Sequence, residues 1–199
     1  MMLRRAFTLL VATLGLAGFA LSAGATNPQV ELDTSAGKIR LELFPEAAPA
    51  TVENFLTYVK AKQYDGTQFH RVIASFMIQG GGYASDFTEK PTRAPIANEA
   101  EKSSKAGLLN TPGTIAMART SAPNSATAQF FINVADNKFL NYRDPSPAGI
   151  GYTVFGKVIQ GMDVVEKIAK TPTAAGGPFP RDVPIERVVI KSATVVGTP

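Results

Sequence analysis

The stretch Phe69-His70-Arg71-Val72-Ile73-Ala74-Ser75-Phe76-Met77-Ile78-Gln79-Gly80-Gly81 brings a permanently charged guanidinium close to a thioether and a primary amide. Alternate residues of a strand share a face, so Arg71 stands opposite His70 and Val72, and Met77 shares a face with Gln79. The same parity in Gln129-Phe130-Phe131-Ile132 puts Gln129 with Phe131 and sends Phe130 and Ile132 to the other side. One surface can thus present Arg71, Met77, Gln79, Gln129 and Phe131. Such a surface is an apolar patch with one fixed cation and two amides, suited to holding a partly apolar ligand while donating hydrogen bonds from a rigid positive fork. Taken singly, each residue has an ordinary reading: an Arg on a strand is usually solvated, and Phe or Met is usually core.

Other chemistries find less support. His70 is the single histidine, so no His pair is present for a metal, and its parity points it away from Arg71; a hydrogen-bonded structural role is expected. Gly80-Gly81-Gly82 is not followed by Gly-Lys-Ser/Thr and reads as a backbone turn rather than a phosphate loop. Glu99 and Glu101 read as solvated loop acids, and Ser121 and Ser125 lack a base, which sets hydrolase readings aside. Cysteine is absent, excluding disulfides, thiolate metal sites, cysteine nucleophiles and lipid attachment through an N-terminal cysteine. No cofactor is implied.

The elements that must position this surface follow from periodicity. Lys38-Ile39-Arg40-Leu41-Glu42-Leu43 alternates as a strand with one buried face, closed through Gly37 into a hairpin with residues 30–33. Pro49 suits the first turn of a helix, on which Val52, Phe55, Leu56 and Val59 form one stripe. Asp65-Gly66 marks a turn, and short β-type runs follow at residues 69–73, 77–79, 114–118, 129–134 and 154–159. A second helix fits residues 162–170 through Val164, Val165 and Ile168, and a last strand alternates around residues 187–195. All 14 prolines fall in segments read as loops, helix starts or termini. Many short strands with two helices argue for a mainly β, antiparallel barrel or sandwich. Two long connections, residues 80–112 and 141–151, stand out.

Length and a hydrophobic content of 45% fit one compact domain. Residues 1–25 fall outside it. Arg4 and Arg5 precede an uncharged, mostly apolar run from Ala6 to Leu21, and Ala23-Gly24-Ala25 supplies small residues for cleavage after Ala25. The run is short for a membrane anchor, so the expectation is a cleavable signal peptide over 1–25 and a domain over 26–199. Losing those two arginines lowers the net charge from +4 to +2, too little to argue for nucleic acid.

The 69–81 segment closely resembles the signature of cyclophilins. Met117-Ala118-Arg119, then Gln129-Phe130-Phe131-Ile132, then Val154-Phe155-Gly156-Lys157-Val158 resemble that family's other blocks in order, and the likeness runs from about Val30 to Val195. It implies a closed eight-stranded antiparallel β-barrel capped by two α-helices, with a peptide groove on the outer surface, and peptidyl-prolyl cis-trans isomerase activity. It implies Arg71 as the catalytic residue and Phe76, Met77 and Phe131 as walls of a proline pocket. Gln79 and Gln129 resemble the amides that hold the substrate backbone, and Ala118 with Arg119 matches the stretch along which the peptide lies. Phe139 and Leu140 fall where the family closes the pocket with Trp-Leu, and Tyr152 falls where many members have His.

Phe for Trp at 139, Tyr for His at 152 and Ala74-Ser75 for Pro-Gly resemble bacterial periplasmic cyclophilins. Phe139 also removes an indole donor, which argues for weak cyclosporin binding. The implied partners are proline-containing segments of unfolded or partly folded exported proteins, met by a monomer without nucleic acid or stable membrane association once the signal is cleaved. The rival reading is a proline-peptide-binding chaperone that uses the same groove with incidental turnover. A third, a purely structural barrel, would not require Arg71, Gln79 and Gln129 together.

Overall fold

A computed structural model describes residues 26–197; the expected signal segment lies outside the described residues. Two hairpin strands open the chain, β1 (Gln29–Thr34) and β2 (Gly37–Leu43). Their alternation holds: Val30, Leu32, Ile39, Leu41 and Leu43 are fully buried while the residues between them face outward. Among the described residues eight strands form one antiparallel sheet. In spatial order they are β10 (Ile190–Val195), β1, β2, β7 (Val154–Gln160), β5 (Thr114–Met117), β6 (Phe130–Asn133), β4 (Met77–Ala84) and β3 (Thr67–Ile73). The two ends of this order meet. Gly66 N–H donates to Ile190 O at 2.8 Å, Phe69 N–H donates to Val188 O at 2.9 Å, and Gln68 bridges Val189, which closes the barrel.

Helix α1 (Pro49–Lys60) starts on its proline and buries Val52, Phe55 and Val59 against the barrel interior, as the spacing predicts. Inside, the Phe130 ring meets Phe55, Tyr64 and Phe69 edge-on at 5.6, 5.4 and 6.2 Å. The Tyr64 hydroxyl, fully buried, donates to Ala128 O at 2.9 Å and so fixes the chain just before Gln129. Burial pushes that phenol's pKa well up. Helix α3 (Met162–Ala169) buries Val165 and Ile168.

Three features depart from the expectations. A third helix, α2 (Ala100–Lys105), sits within the long 80–112 connection. Its sequence, Ala-Glu-Lys-Ser-Ser-Lys, carries no apolar stripe and so no periodic signal. A separate two-stranded hairpin, β8 (Thr173–Gly176) with β9 (Phe179–Pro184), precedes the last barrel strand, and it places Pro180 and Pro184 in a strand. In a two-stranded ribbon each strand keeps a free edge, so the missing N–H groups break no continuous ladder. Finally, Glu99 is more than a solvated acid. Helix α1 has no capping side chain of its own and no acid in its first turn. The Glu99 carboxylate accepts from Ala50 N at 3.2 Å, Thr51 N at 2.8 Å and the Thr51 hydroxyl at 2.7 Å, satisfying those orphan donors from across the fold.

Candidate active site

The register aligns one transverse row of side chains across the outer face of the barrel. Arg71 pairs with Gln79 between β3 and β4, Gln79 with Phe131 between β4 and β6, Phe131 with Ala116 between β6 and β5, and Ala116 with Val154 between β5 and β7. Directly opposed residues of paired strands lie side by side on one face. A cation, an amide, an aromatic ring and two small apolar groups are therefore set in line by backbone pairing, with register shifts just before Arg71 and Ala116. Met77, Phe131, Ala116, Val154 and Leu140 form a second apolar cluster, distinct from the barrel interior.

This cluster floors a cleft of about 270 Å³ lined by Arg71, Phe76, Met77, Gln79, Ala118, Arg119, Gln129, Phe131, Leu140 and Tyr152, all expected from sequence, together with His70, Tyr83 and Phe179. The polar members are linked: Arg71 Nη1 reaches Gln79 Oε1 at 3.5 Å, and Gln79 Nε2 donates to Gln129 Oε1 at 3.0 Å. The Arg71 guanidinium lies 6.0 Å from the centre of the Phe76 ring. At the far end Arg119 stacks on Tyr152 at 4.3 Å, donates from Nε to Gly151 O at 3.0 Å, and leaves Tyr152 edge-on to Phe131 at 5.8 Å. Phe139 does not line the cleft. It is 64% exposed and stacks on the Phe76 ring at 5.5 Å, extending the rim outward.

Buried amides pin the pocket wall. Asn137 Nδ2 donates to Phe76 O at 2.9 Å and to Asn133 Oδ1 at 2.7 Å, while Asn133 Nδ2 donates to Asn110 Oδ1 at 3.2 Å. Asn110 Nδ2 in turn bonds Leu140 O at 3.3 Å, so Phe76 and Leu140 are held by one network of satisfied groups. Gly82 makes room for the amide pair: a Cβ there would stand 2.6 Å from Gln129 Cγ and Cδ.

His70 is placed differently from its expected position. Phe69 pairs with Gly80 and Arg71 with Gln79, so β3 advances two residues while β4 advances one. The resulting bulge at His70 cancels the alternation and brings His70 and Arg71 to the same cleft. The imidazole is 2% exposed, stacks on Phe179 at 5.3 Å and meets Tyr83 edge-on at 4.8 Å, and among the described residues its Nδ1 has no hydrogen-bond partner. Its pKa falls from 6.5 to about 4, chiefly through burial; the Arg71 charge acts in the same direction, and contacts with the Gln68 backbone and Gln129 only partly oppose the two. His70 is thus neutral near pH 7. The neighbouring Gly80-Gly81-Gly82 run is not the turn expected from sequence but lies inside β4, which extends to Ala84; glycines in a strand mark bulges and close approaches. Phe179 comes from the β8–β9 hairpin, which left no periodic trace.

Comparison with known proteins identifies the family. The family model for cyclophilin type peptidyl-prolyl cis-trans isomerases matches residues 29–195. The chain is 56% identical to a peptidyl-prolyl cis-trans isomerase of Streptomyces antibioticus over 84% of this chain and 98% of that protein. It is 54% identical to one of Acinetobacter baylyi over 90% and 92% of the two chains. A crystal structure of a Cryptosporidium parvum cyclophilin, determined in the presence of the dipeptide Ala-Pro, superposes with a TM-score of 0.66 at 26% identity, covering 85% of this chain and 99% of the other. The chain belongs to the cyclophilin-type peptidyl-prolyl cis-trans isomerases, enzymes that speed rotation about the peptide bond preceding proline.

Proposed function

We propose that this isomerase acts on proline-containing segments of exported proteins as they fold, with Arg71 stabilising the twisted imide. Unaided, rotation of an X-Pro bond must break amide resonance against a barrier of roughly 18 to 20 kcal/mol. In the twisted state the imide nitrogen regains a lone pair. A fixed donor aimed at that nitrogen binds the twisted state better than the planar one, and only such differential binding speeds the step. No bond is made or cut, so a neutral His70 fits a reaction that needs no proton carrier.

The observation that carries this reading is the placement of Arg71 at the edge of an apolar cleft, tied through Gln79 to Gln129. Phe76, Met77, Phe131 and Leu140 offer an apolar seat for the proline ring, closed by Tyr152 at one end and extended at the rim by Phe139. Gln79 and Gln129 present amides to the peptide backbone, and Ala118 with Arg119 borders its path. Water excluded by a seated peptide no longer screens the guanidinium, which strengthens its hold on the nitrogen.

The test is NMR-detected cis-trans exchange of a short Ala-Pro-Phe peptide with the wild type and Arg71→Ala. Loss of about 100-fold or more in exchange rate, with much less change in peptide affinity, is expected. Equal losses in rate and affinity would remove Arg71 from the assigned role, and undiminished exchange would overturn it.

Export rests on residues 1–25, whose basic start, apolar run and Ala23-Gly24-Ala25 fit a signal peptide cleaved after Ala25. The proposed site of action is the bacterial periplasm, with the mature chain a monomer. Among the described residues no helix is long and apolar enough to cross a membrane. The exported protein should be recovered beginning at Thr26; a full-length protein that stays in the cytoplasm would refute this.

A further inference from the structure

We propose that Asp182, carried by the β8–β9 hairpin, is a positioning residue for Arg71. The inference rests on the catalytic reading of Arg71 given above. A guanidinium has three nitrogens, and two edges of this one face protein acceptors. Nη1 reaches Gln79 Oε1 at 3.5 Å, and Nε lies 3.8 Å from Asp182 Oδ2. Among the described residues Nη2 has no protein acceptor, so it is the edge left for substrate. The carboxylate therefore sits behind the guanidinium. At 3.8 Å it is too far for a hydrogen bond that would consume the Nε donor, yet near enough to orient the charge. The Arg71 side chain is 41% exposed and sits on the barrel surface. Without a second anchor, its long stem is free to explore rotamers that turn Nη2 away from the cleft.

The backbone supports the same conclusion. Asp182 has φ +66°, outside the strand region, although it lies within β9. Asp and Asn tolerate this conformation better than other side-chain-bearing residues. The turn it produces lets Val183 stay buried while the carboxylate faces β3. The same oxygen lies 3.6 Å from Nε of Arg181, whose side chain is 82% exposed, so Asp182 is shared with a solvated cation that can move away without cost to the site. Phe179, on the same strand, seats the hairpin by stacking on the buried His70. The hairpin is thus more than a connection to the last barrel strand: it delivers a counter-charge to the back of the catalytic cation.

The test measures kcat and KM by peptide exchange, with melting temperature, for Asp182→Asn, Asp182→Glu, Arg71→Ala and the Arg71→Ala/Asp182→Asn pair. Asn keeps the tolerated φ and removes only the charge, whereas Glu keeps the charge and fits the φ less well. Positioning by charge predicts a fall of about three- to five-fold in kcat for Asp182→Asn, with KM within two-fold. It also predicts higher kcat in Asp182→Glu than in Asp182→Asn, whatever the order of their melting temperatures, and no further loss on adding Asp182→Asn to Arg71→Ala. Unchanged kcat in Asp182→Asn, an equal loss in both Arg71 backgrounds, or the opposite ranking of Asn and Glu would overturn the inference and leave the Arg71 reading standing. Full turnover in Arg71→Ala would remove both.

Discussion

Lowering the pH from 7 to 5 is expected to destabilise the fold by about 2 kcal/mol through His70 alone. The imidazole titrates near 6.5 when unfolded and near 4 when folded, because burial against Phe179 and Tyr83 disfavours its charged form. A depressed folded pKa means that the unfolded chain binds the proton first. The stabilisation is therefore fully present above pH 6.5 and is lost as pH falls towards 4. The whole span of about 2.5 units corresponds to roughly 3 kcal/mol, of which about 2 is gone by pH 5. The window belongs to this residue because the chain has one histidine. The carboxylates with lowered pKa values, Glu31, Glu42, Asp86 and Asp144, start from ordinary values of 4.5 or 3.8 and lose their contributions further down. Denaturant unfolding of the wild type and His70→Gln between pH 7 and 5 measures the effect: the wild-type free energy should slope and the variant's should stay nearly flat. Parallel curves would refute the assignment. So would a turnover profile breaking near pH 6.5, since a neutral His70 leaves the charge of the cleft constant across that range.

Two further substitutions probe the scaffold of the site. Gly82→Ala places a methyl group 2.6 Å from Gln129 Cγ and Cδ; it should displace Gln129 from Gln79 and raise KM several-fold, read by peptide exchange, while wild-type kinetics would refute the packing argument. Glu99→Ala strips the α1 donors of Ala50 and Thr51 of their acceptor and should cost about 1 to 2 kcal/mol of stability in urea unfolding, with turnover at 25 °C unchanged.

The sequence was most legible where one period governed a whole element. Val30 to Leu43 alternated as a two-sided hairpin, the Val52 to Val59 stripe read as a helix, and strand parity alone placed Gln79 beside Phe131 and apart from Phe130. What escaped were contacts that depend on a break in period or on distant chain. His70 changed face because one extra residue entered β3. Glu99 caps a helix far from it in sequence. The β8–β9 hairpin, rich in Gly and Pro with exposed residues on both faces, has neither the alternation of a half-buried strand nor a helical stripe.

Three irregularities meet around the guanidinium. The bulge at His70, the glycine run opposite it and the left-handed Asp182 all border Arg71. A regular barrel strand would have turned His70 inward, where its unpaired Nδ1 would sit among the aromatic rings around Phe130. The bulge instead lets two consecutive residues face one cleft, one as a neutral ring on which the hairpin rests and the other as the cation that the hairpin's carboxylate faces. The row from Gln79 to Val154 is set by sheet pairing, with one register shift between Ile115 and Ala116. On the proposed positioning role of Asp182 at the Arg71 end of this row, changes to the hairpin should reach turnover before they reach peptide affinity.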